Sequence, residues 1–149
     1  MKAPDIVIRR AEESDSEFAY QTVERTMKGY ALAIWGTWLE AEARKNTASD
    51  ANSGRSQIIQ LGSERIGVLC VDRLATHHQL DQLYIVPEHQ RQGIGAHVLQ
   101  LVLSEAQAAG LPVRLRVLRS NPARSFYERH GFCVFSESPE RFFMERVPV

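Results

Sequence analysis

Cysteine is scarce in this chain of 149 residues: there are two, Cys70 and Cys133. So few thiols exclude a disulfide-stapled scaffold, and each lies in an apolar stretch that reads as a strand. Both are therefore expected to be buried free thiols in a reducing cytoplasm. An excess of charge of one sign is missing too. Eighteen basic residues balance eighteen acidic ones, which argues against the basic face that a general nucleic-acid binder needs to hold phosphates. A local basic pocket for one phosphorylated ligand stays compatible with that balance. No apolar run approaches the roughly 20 residues that cross a bilayer. Met1–Ala11, charged at Lys2, Asp5, Arg9 and Arg10, has no apolar signal core. Neither nucleic acid nor membrane is expected as a partner. Repeats and low-complexity tracts are absent as well. His77 and His78 are adjacent, so in an extended segment they point opposite ways, and no third ligand stands at a recognisable spacing; no metal is expected.

What is present is the composition of an ordinary globular protein, over a length that suits one compact domain, residues 1–149. Ile6-Val7-Ile8 reads as a first strand. Ser14 or Asp15 can cap a helix starting near Ser16, with Phe18, Val23, Met27 and Ala31 on one face and Gly29 expected to break or bend it. A second helix is expected from about Ala33 to Lys45. The polar stretch from Asn46 to Gly54, NTASDANSG, reads as a surface loop. Strands follow at Gln57–Leu61, Arg65–Leu74 and Leu80–Val86, the last ended by Pro87. Val98, Leu99, Leu101, Val102 and Ala106 form the apolar stripe of a strong helix that Gly110 stops. Pro112–Leu118 alternates as a strand with one buried face. Asn121-Pro122 opens a further helix ending at Gly131, and Phe132–Phe135 and Phe142–Val147 read as two antiparallel strands. Strands with interleaved helices imply an α/β layer structure, with helices packed on a mixed sheet.

The densest chemical signal is LYIVPEHQRQGIGA, from Leu83 to Ala96. An apolar strand runs through Pro87 into Gln90-Arg91-Gln92-Gly93-Ile94-Gly95-Ala96 and then a helix. A helix N-terminus presents unpaired N–H groups and a partial positive charge. Gly93 and Gly95 remove side chains there, so an anion such as a pyrophosphate can reach the backbone. The segment lacks the third glycine of a dinucleotide fingerprint and the Lys-Ser/Thr pair of a nucleoside-triphosphate loop. Alone, it equally describes a tight strand-to-helix turn with no ligand.

The context resembles the GNAT superfamily of acetyl-CoA-dependent N-acetyltransferases. That family's signature is a strand ending in Val-x-Pro, then Gln/Arg-x-x-Gly-x-Gly/Ala opening a long helix. Here the strand ends at Pro87, and Gln90, Gly93 and Gly95 fill the positions that follow. One helix and one strand later, Asn121-Pro122-Ala123-Arg124-Ser125-Phe126-Tyr127-Glu128-Arg129-His130-Gly131-Phe132 is similar to the family's Asn…Ala…Tyr-Glu-x-x-Gly-Phe ending. The two elements cover about residues 80 to 135. The resemblance implies a mixed, mostly antiparallel central sheet with helices on both faces and a splayed parallel strand pair. Pantetheine would lie in the splay, against Leu83, Tyr84, Ile85 and Val86, with Val113–Leu118 opposite. The pyrophosphate would sit on the amides of Gln90 to Ala96, with Arg91 adding a charged contact or remaining a solvated surface arginine.

Acetyl transfer to an amine needs a deprotonated nucleophile, a stabilised oxyanion and a proton for the departing thiolate. The resemblance assigns the oxyanion to a backbone N–H around Ile85 or Val86, and the proton to Tyr127. Asn121 resembles a cofactor-contacting asparagine and also suits a helix cap before Pro122. For the base, Gln79 cannot serve; Asp81 is able to relay a proton through water or bind the substrate ammonium, or is a strand-end surface carboxylate. His78 reads as a loop residue. The first two helices usually shape the family's acceptor site; here they carry Tyr30, Trp35 and Trp38, which either line such a site or complete the core. The implied acceptor is an amine-bearing small molecule or peptide. The alternatives are a non-catalytic acyl-CoA-binding or regulatory module on the same fold, and an unrelated α/β binding protein. The C-terminal strands, Phe132–Val147, carry apolar residues able to pair across a two-fold axis in a homodimer or to complete the monomer core.

Overall fold

The computed structural model describes residues 5–149, so Lys2 lies outside the described residues. A seven-stranded sheet runs in the order β1-β2-β3-β4-β5-β7-β6. Its strands are β1 (Ile6–Arg10), β2 (Ser56–Leu61), β3 (Glu64–Arg73), β4 (His78–Ile85), β5 (Val113–Leu118), β6 (Cys133–Glu137) and β7 (Arg141–Arg146). All neighbours are antiparallel except β4 and β5. The helices are α1 (Ser16–Trp35), α2 (Glu40–Ser53), α3 (Ile94–Ala109) and α4 (Ala123–Arg129). None is long and apolar enough to cross a membrane.

Strand alternation sorts the core to two faces. Ile58 and Val68 pack with Ala19 of α1 and Ala51 of α2. Their chain neighbours Ile59 and Leu69 turn to the other face and join Val98, Leu99 and Val102 of α3. Helices therefore cover both faces, in the mixed architecture that the resemblance implied.

Several local expectations are corrected. Gly29 neither breaks nor bends α1: it is exposed, a helix-interior glycine costs only about 1 kcal/mol, and the helix runs on to Gly36, which ends it at φ 70°. Ala33–Trp35 therefore belongs to α1, and the next helix starts at Glu40. Most of the expected loop 46–54 is helical. Ala43, Thr47 and Ala51 recur every four residues on one face; Thr47 and Ala51 are buried, the Thr47 hydroxyl donates to the Ala43 carbonyl (2.8 Å), and Gly54 closes the helix at φ 81°. Asp15 stands at the start of α1 without capping it. Its carboxylate accepts instead from both terminal Arg9 nitrogens (2.8 and 2.9 Å), Arg65 (3.2 Å) and the Glu12 amide (2.8 Å). Cys70 is buried as expected, but Cys133 is exposed because β6 is the sheet's outer edge. His78 is no loop residue: it is buried in β4, where its amide donates to the Pro112 carbonyl (2.9 Å). Among the C-terminal strands, β7 is enclosed between β5 and β6, with Met144 fully buried, so only β6 presents a free edge.

Candidate active site

The parallel pair makes the site. β4 and β5 are joined only at their beginnings, His78 with Val113 and Gln79 with Arg114. Beyond that they part. The β3–β4 register slips between Cys70 and Val71, which pair with Gln82 and Leu80 and leave Asp81 as the extra residue. Such a bulge bends its strand and re-aims the side chain. Past it, the Val86 amide donates to the Ile66 carbonyl (2.8 Å). Antiparallel alternation then points the amides of Tyr84 and Gln82 toward β3, and those of Leu83 and Ile85 away from it, into the gap. The Gln90 side-chain amide closes one end of the gap by donating to the Ile85 carbonyl (2.8 Å).

The gap widens into a cleft of about 900 Å³. At one end lies the turn into α3, left-handed at Arg91 (φ 62°) and at Gly93 (φ 79°). The glycine adopts this freely; the arginine does so at a cost on the order of 1 kcal/mol. The first helical hydrogen bond runs from the His97 amide to the Gly93 carbonyl (3.0 Å), so the amides of Ile94, Gly95 and Ala96 have no partner within the helix. A Cβ on Gly95 would meet only the Phe126 ring, at 3.9 Å. The residue faces the cleft rather than the core.

Most of the sequence-derived site residues meet here. Leu83, Tyr84, Ile85, Gln90, Arg91 and Gly93 line the cleft, as do Gly95, Ala96, Asn121, Tyr127 and Asp81. Val86, Gln92 and Ile94 do not. Val86 is buried and its amide is taken by Ile66, so it offers nothing to a ligand or an oxyanion. The Ile94 side chain is buried and Gln92 is exposed on the outside of the turn, which leaves both only their backbone.

Tyr127 enters the cleft from α4. Its ring packs edge-on against Phe126 (5.2 Å) and Phe132 (5.6 Å). Burial, with a smaller push from Tyr84, holds the phenol well above the ordinary tyrosine range, so it is protonated at neutral pH. Its hydroxyl has no hydrogen-bond partner among the described residues. Asn121 accepts a hydrogen bond from the Ala123 amide (2.9 Å) in a turn that leads into α4, whose cap position is Pro122, and its side-chain amide leans on the Met27 sulfur (3.8 Å).

A family model described as an acetyltransferase (GNAT) domain matches residues 52–134, more than half of the chain and the part that holds the bulge, the cleft strands and the turn into α3. The chain belongs to the GNAT acetyltransferase family. Solved structures share its fold at low identity. A PaiA N-acetyltransferase from Thermoplasma acidophilum, in complex with coenzyme A, is similar at TM-score 0.80 and 22% identity, over 95% of this chain and 98% of that one. An acetyltransferase from Thermus thermophilus reaches 0.75 at 20%, over 99% of each chain. The ribosomal-protein-S18-alanine N-acetyltransferase from Escherichia coli reaches 0.71 at 20%, over 97% and 95%. No curated protein gives a significant match.

At the far end of the GNAT cleft, the C-terminus of α1 meets the sheet. Neither tryptophan completes the core: Trp35 is 46% exposed, under the Arg141 guanidinium at 5.2 Å, and Trp38 is half-buried. The Trp38 indole donates to the Tyr20 hydroxyl (3.1 Å), which donates to Glu24 (2.7 Å). Both tryptophans and Tyr30 line the cleft. Asp81 is engaged by Arg55, which also holds Asp50 (2.8 Å) and Asp72 (2.6 Å). Arg55 stands alone after Gly54 in the sequence, and nothing in its local pattern marked it. Its partners come from α2, β3 and β4, and only the fold joins them. Burial pushes the Tyr84 phenol up to about 12, with a smaller upward push from Asp81 and a downward pull from Arg116. Among the described residues no three His, Cys, Asp or Glu side chains gather in a way that would hold a metal ion.

Proposed function

We propose that this protein transfers an acetyl group from acetyl-CoA to a primary amine of a small molecule or peptide. The observation that carries the reading is the unpaired edge of β4, opening at one end onto the free amides of the turn into α3 and overlooked by a protonated Tyr127. A thioester donor with an amide-bearing pantetheine arm and a pyrophosphate fits that arrangement. The arm would pair with the backbone of Leu83, leaving the Ile85 amide for the thioester carbonyl, and the pyrophosphate would rest on Gly93 to Ala96 with Arg91 beside it. Asn121, bonded to the Ala123 amide at the entry to α4, helps hold that helix and with it Tyr127 in position.

The chemistry follows from that placement. The amine nitrogen attacks the thioester carbonyl, and the developing oxyanion meets the Ile85 amide, the backbone donor that β3 does not use. The C–S bond then breaks, Tyr127 gives its proton to the departing sulfur, and the second proton lost by the attacking nitrogen passes through solvent to restore the Tyr127 phenol. The amine loses its proton toward solvent before attack. Asp81, whose Oδ1 has no partner among the described residues, faces the incoming ammonium.

The test has two stages. Calorimetry with acetyl-CoA should give saturable one-site binding, and its absence would leave the cleft without a donor. A screen of amine acceptors that follows CoA release should then yield a substrate. Donor binding without turnover on any amine would favour the non-catalytic acyl-CoA-binding module.

A further inference from the structure

The acceptor end of the cleft carries charge of both signs, at separate places. On the α2 side, one cation faces three anions: Arg55 against Asp50, Asp72 and Asp81. That corner keeps a formal surplus of negative charge. On the β5 side the balance reverses. Arg116 alternates with Leu115 and Val117, whose side chains are buried toward α3, so it turns to the α1 face and lines the cleft beside Tyr84. Arg141 lines it from β7. Neither guanidinium has an anionic partner among the described residues, whereas Arg114 and Arg119 on the same strand and turn are paired with Glu145 (3.1 Å) and Glu137 (2.6 Å). Arg116 and Arg141 stand on β5 and β7, whereas Arg91 stands in the turn into α3. A diamine would meet repulsion from these two cations, and a simple anion would meet Asp81. A ligand with an ammonium and a carboxylate satisfies both walls, and a guanidinium receives a carboxylate in two parallel hydrogen bonds. At this end Arg141 lies over the Trp35 ring (5.2 Å) and links the end of α1 to β7.

We propose that the acceptor is a small amino acid-type amine, its ammonium held toward Asp81 and its carboxylate by Arg116, with Arg141 at the rim. This rests on the acetyl-transfer reading of the same cleft. The experiment uses matched pairs that differ by the carboxylate: L-phenylalanine with phenethylamine, L-leucine with isopentylamine, and L-lysine with 1,5-diaminopentane. A decapeptide with a free N-terminus is the third arm. Thermal shift of the CoA-saturated protein reads binding, and CoA release from acetyl-CoA reads turnover. At least one amino acid should bind and react at least tenfold better, in Kd and in kcat/KM, than its decarboxylated partner. Arg116→Gln should collapse that ratio toward one and Arg116→Lys should restore part of it. Amines or the decapeptide used as well as or better than every amino acid would overturn the inference and leave acetyl transfer standing. Amino acids bound through Arg116 but never acetylated would support the pocket assignment and sink the transfer reaction. No difference in binding between the members of every pair would overturn the inference whether or not any of them reacts.

Discussion

Gly95 and Tyr127 separate the two halves of the proposed reaction, and each can be changed without disturbing the core. At Gly95 a side chain would project past the Phe126 ring into the cleft, so Gly95→Glu should fold normally. Its carboxylate would stand where a pyrophosphate is expected, and acetyl-CoA affinity should fall at least tenfold, about 1.4 kcal/mol. An unchanged dissociation constant by calorimetry, in a folded variant, would remove the turn into α3 from the donor site. Tyr127→Phe keeps the ring contacts with Phe126 and Phe132 and removes only the proton. Single-turnover rates should drop about 100-fold, within the range of general acid catalysis, while thermal stability changes little. A rate within twofold of wild type would exclude Tyr127 as the acid. Because burial raises the Tyr127 phenol above its ordinary value, the acid stays loaded as pH rises. The rate should therefore show no alkaline decline from this group below about pH 10, the ordinary tyrosine value.

Asp15 carries the element-scale energetics, at the corner where β1 enters α1. Its side chain is 3% exposed and accepts from Arg9, Arg65 and the Glu12 amide. These donors, Arg9 foremost, hold its carboxyl well below the usual carboxylate range. A depressed folded-state value adds stability that is present above the unfolded value near pH 4 and lost as pH falls through the folded one. Asp15→Asn should cost about 1–3 kcal/mol at neutral pH, since the buried carboxylate that accepts from the partly exposed Arg9 and Arg65 is replaced by an amide that accepts at only one of its two atoms. Urea titrations should show the gap between wild type and variant narrowing below pH 4; a constant gap would assign the loss to packing. The same scale shows where element reading from sequence failed. The NTASDANS stretch of α2 has low intrinsic helix preference, and its helix rests on Ala43, Thr47 and Ala51 facing the sheet. That small-residue spacing was present in the sequence, but polar turn-formers outweighed it. Gly29 failed in the same direction, because an exposed glycine inside a long helix carries a modest penalty that packing on either side overcomes.

Across the whole molecule, what was legible depended on whether the information was local. The turn from Pro87 into α3 and the Asn121–Phe132 segment are contiguous motifs, and the cleft forms between them. The bulge at Asp81 and the Arg55 cluster depend on pairings between distant segments, so no window of sequence contained them. The splay that results has a measurable consequence. Leu83 and Ile85 direct their amides into a gap that β5 does not fill, while the Val86 amide is bonded to Ile66 at 2.8 Å. A donor lying in the gap would supply the missing strand contacts and bind only the folded chain. At a hundred times its dissociation constant, acetyl-CoA should add about 2.7 kcal/mol of stability. For a chain of this size that corresponds to a rise in Tm of about 5–10 °C. Hydrogen exchange locates the effect. The Leu83 and Ile85 amides should be fast in the free protein and slow in the complex, and Val86 should be protected in both. Stabilisation with no new protection at Leu83 and Ile85 would mean that the donor binds elsewhere and that the open edge of β4 is not its seat.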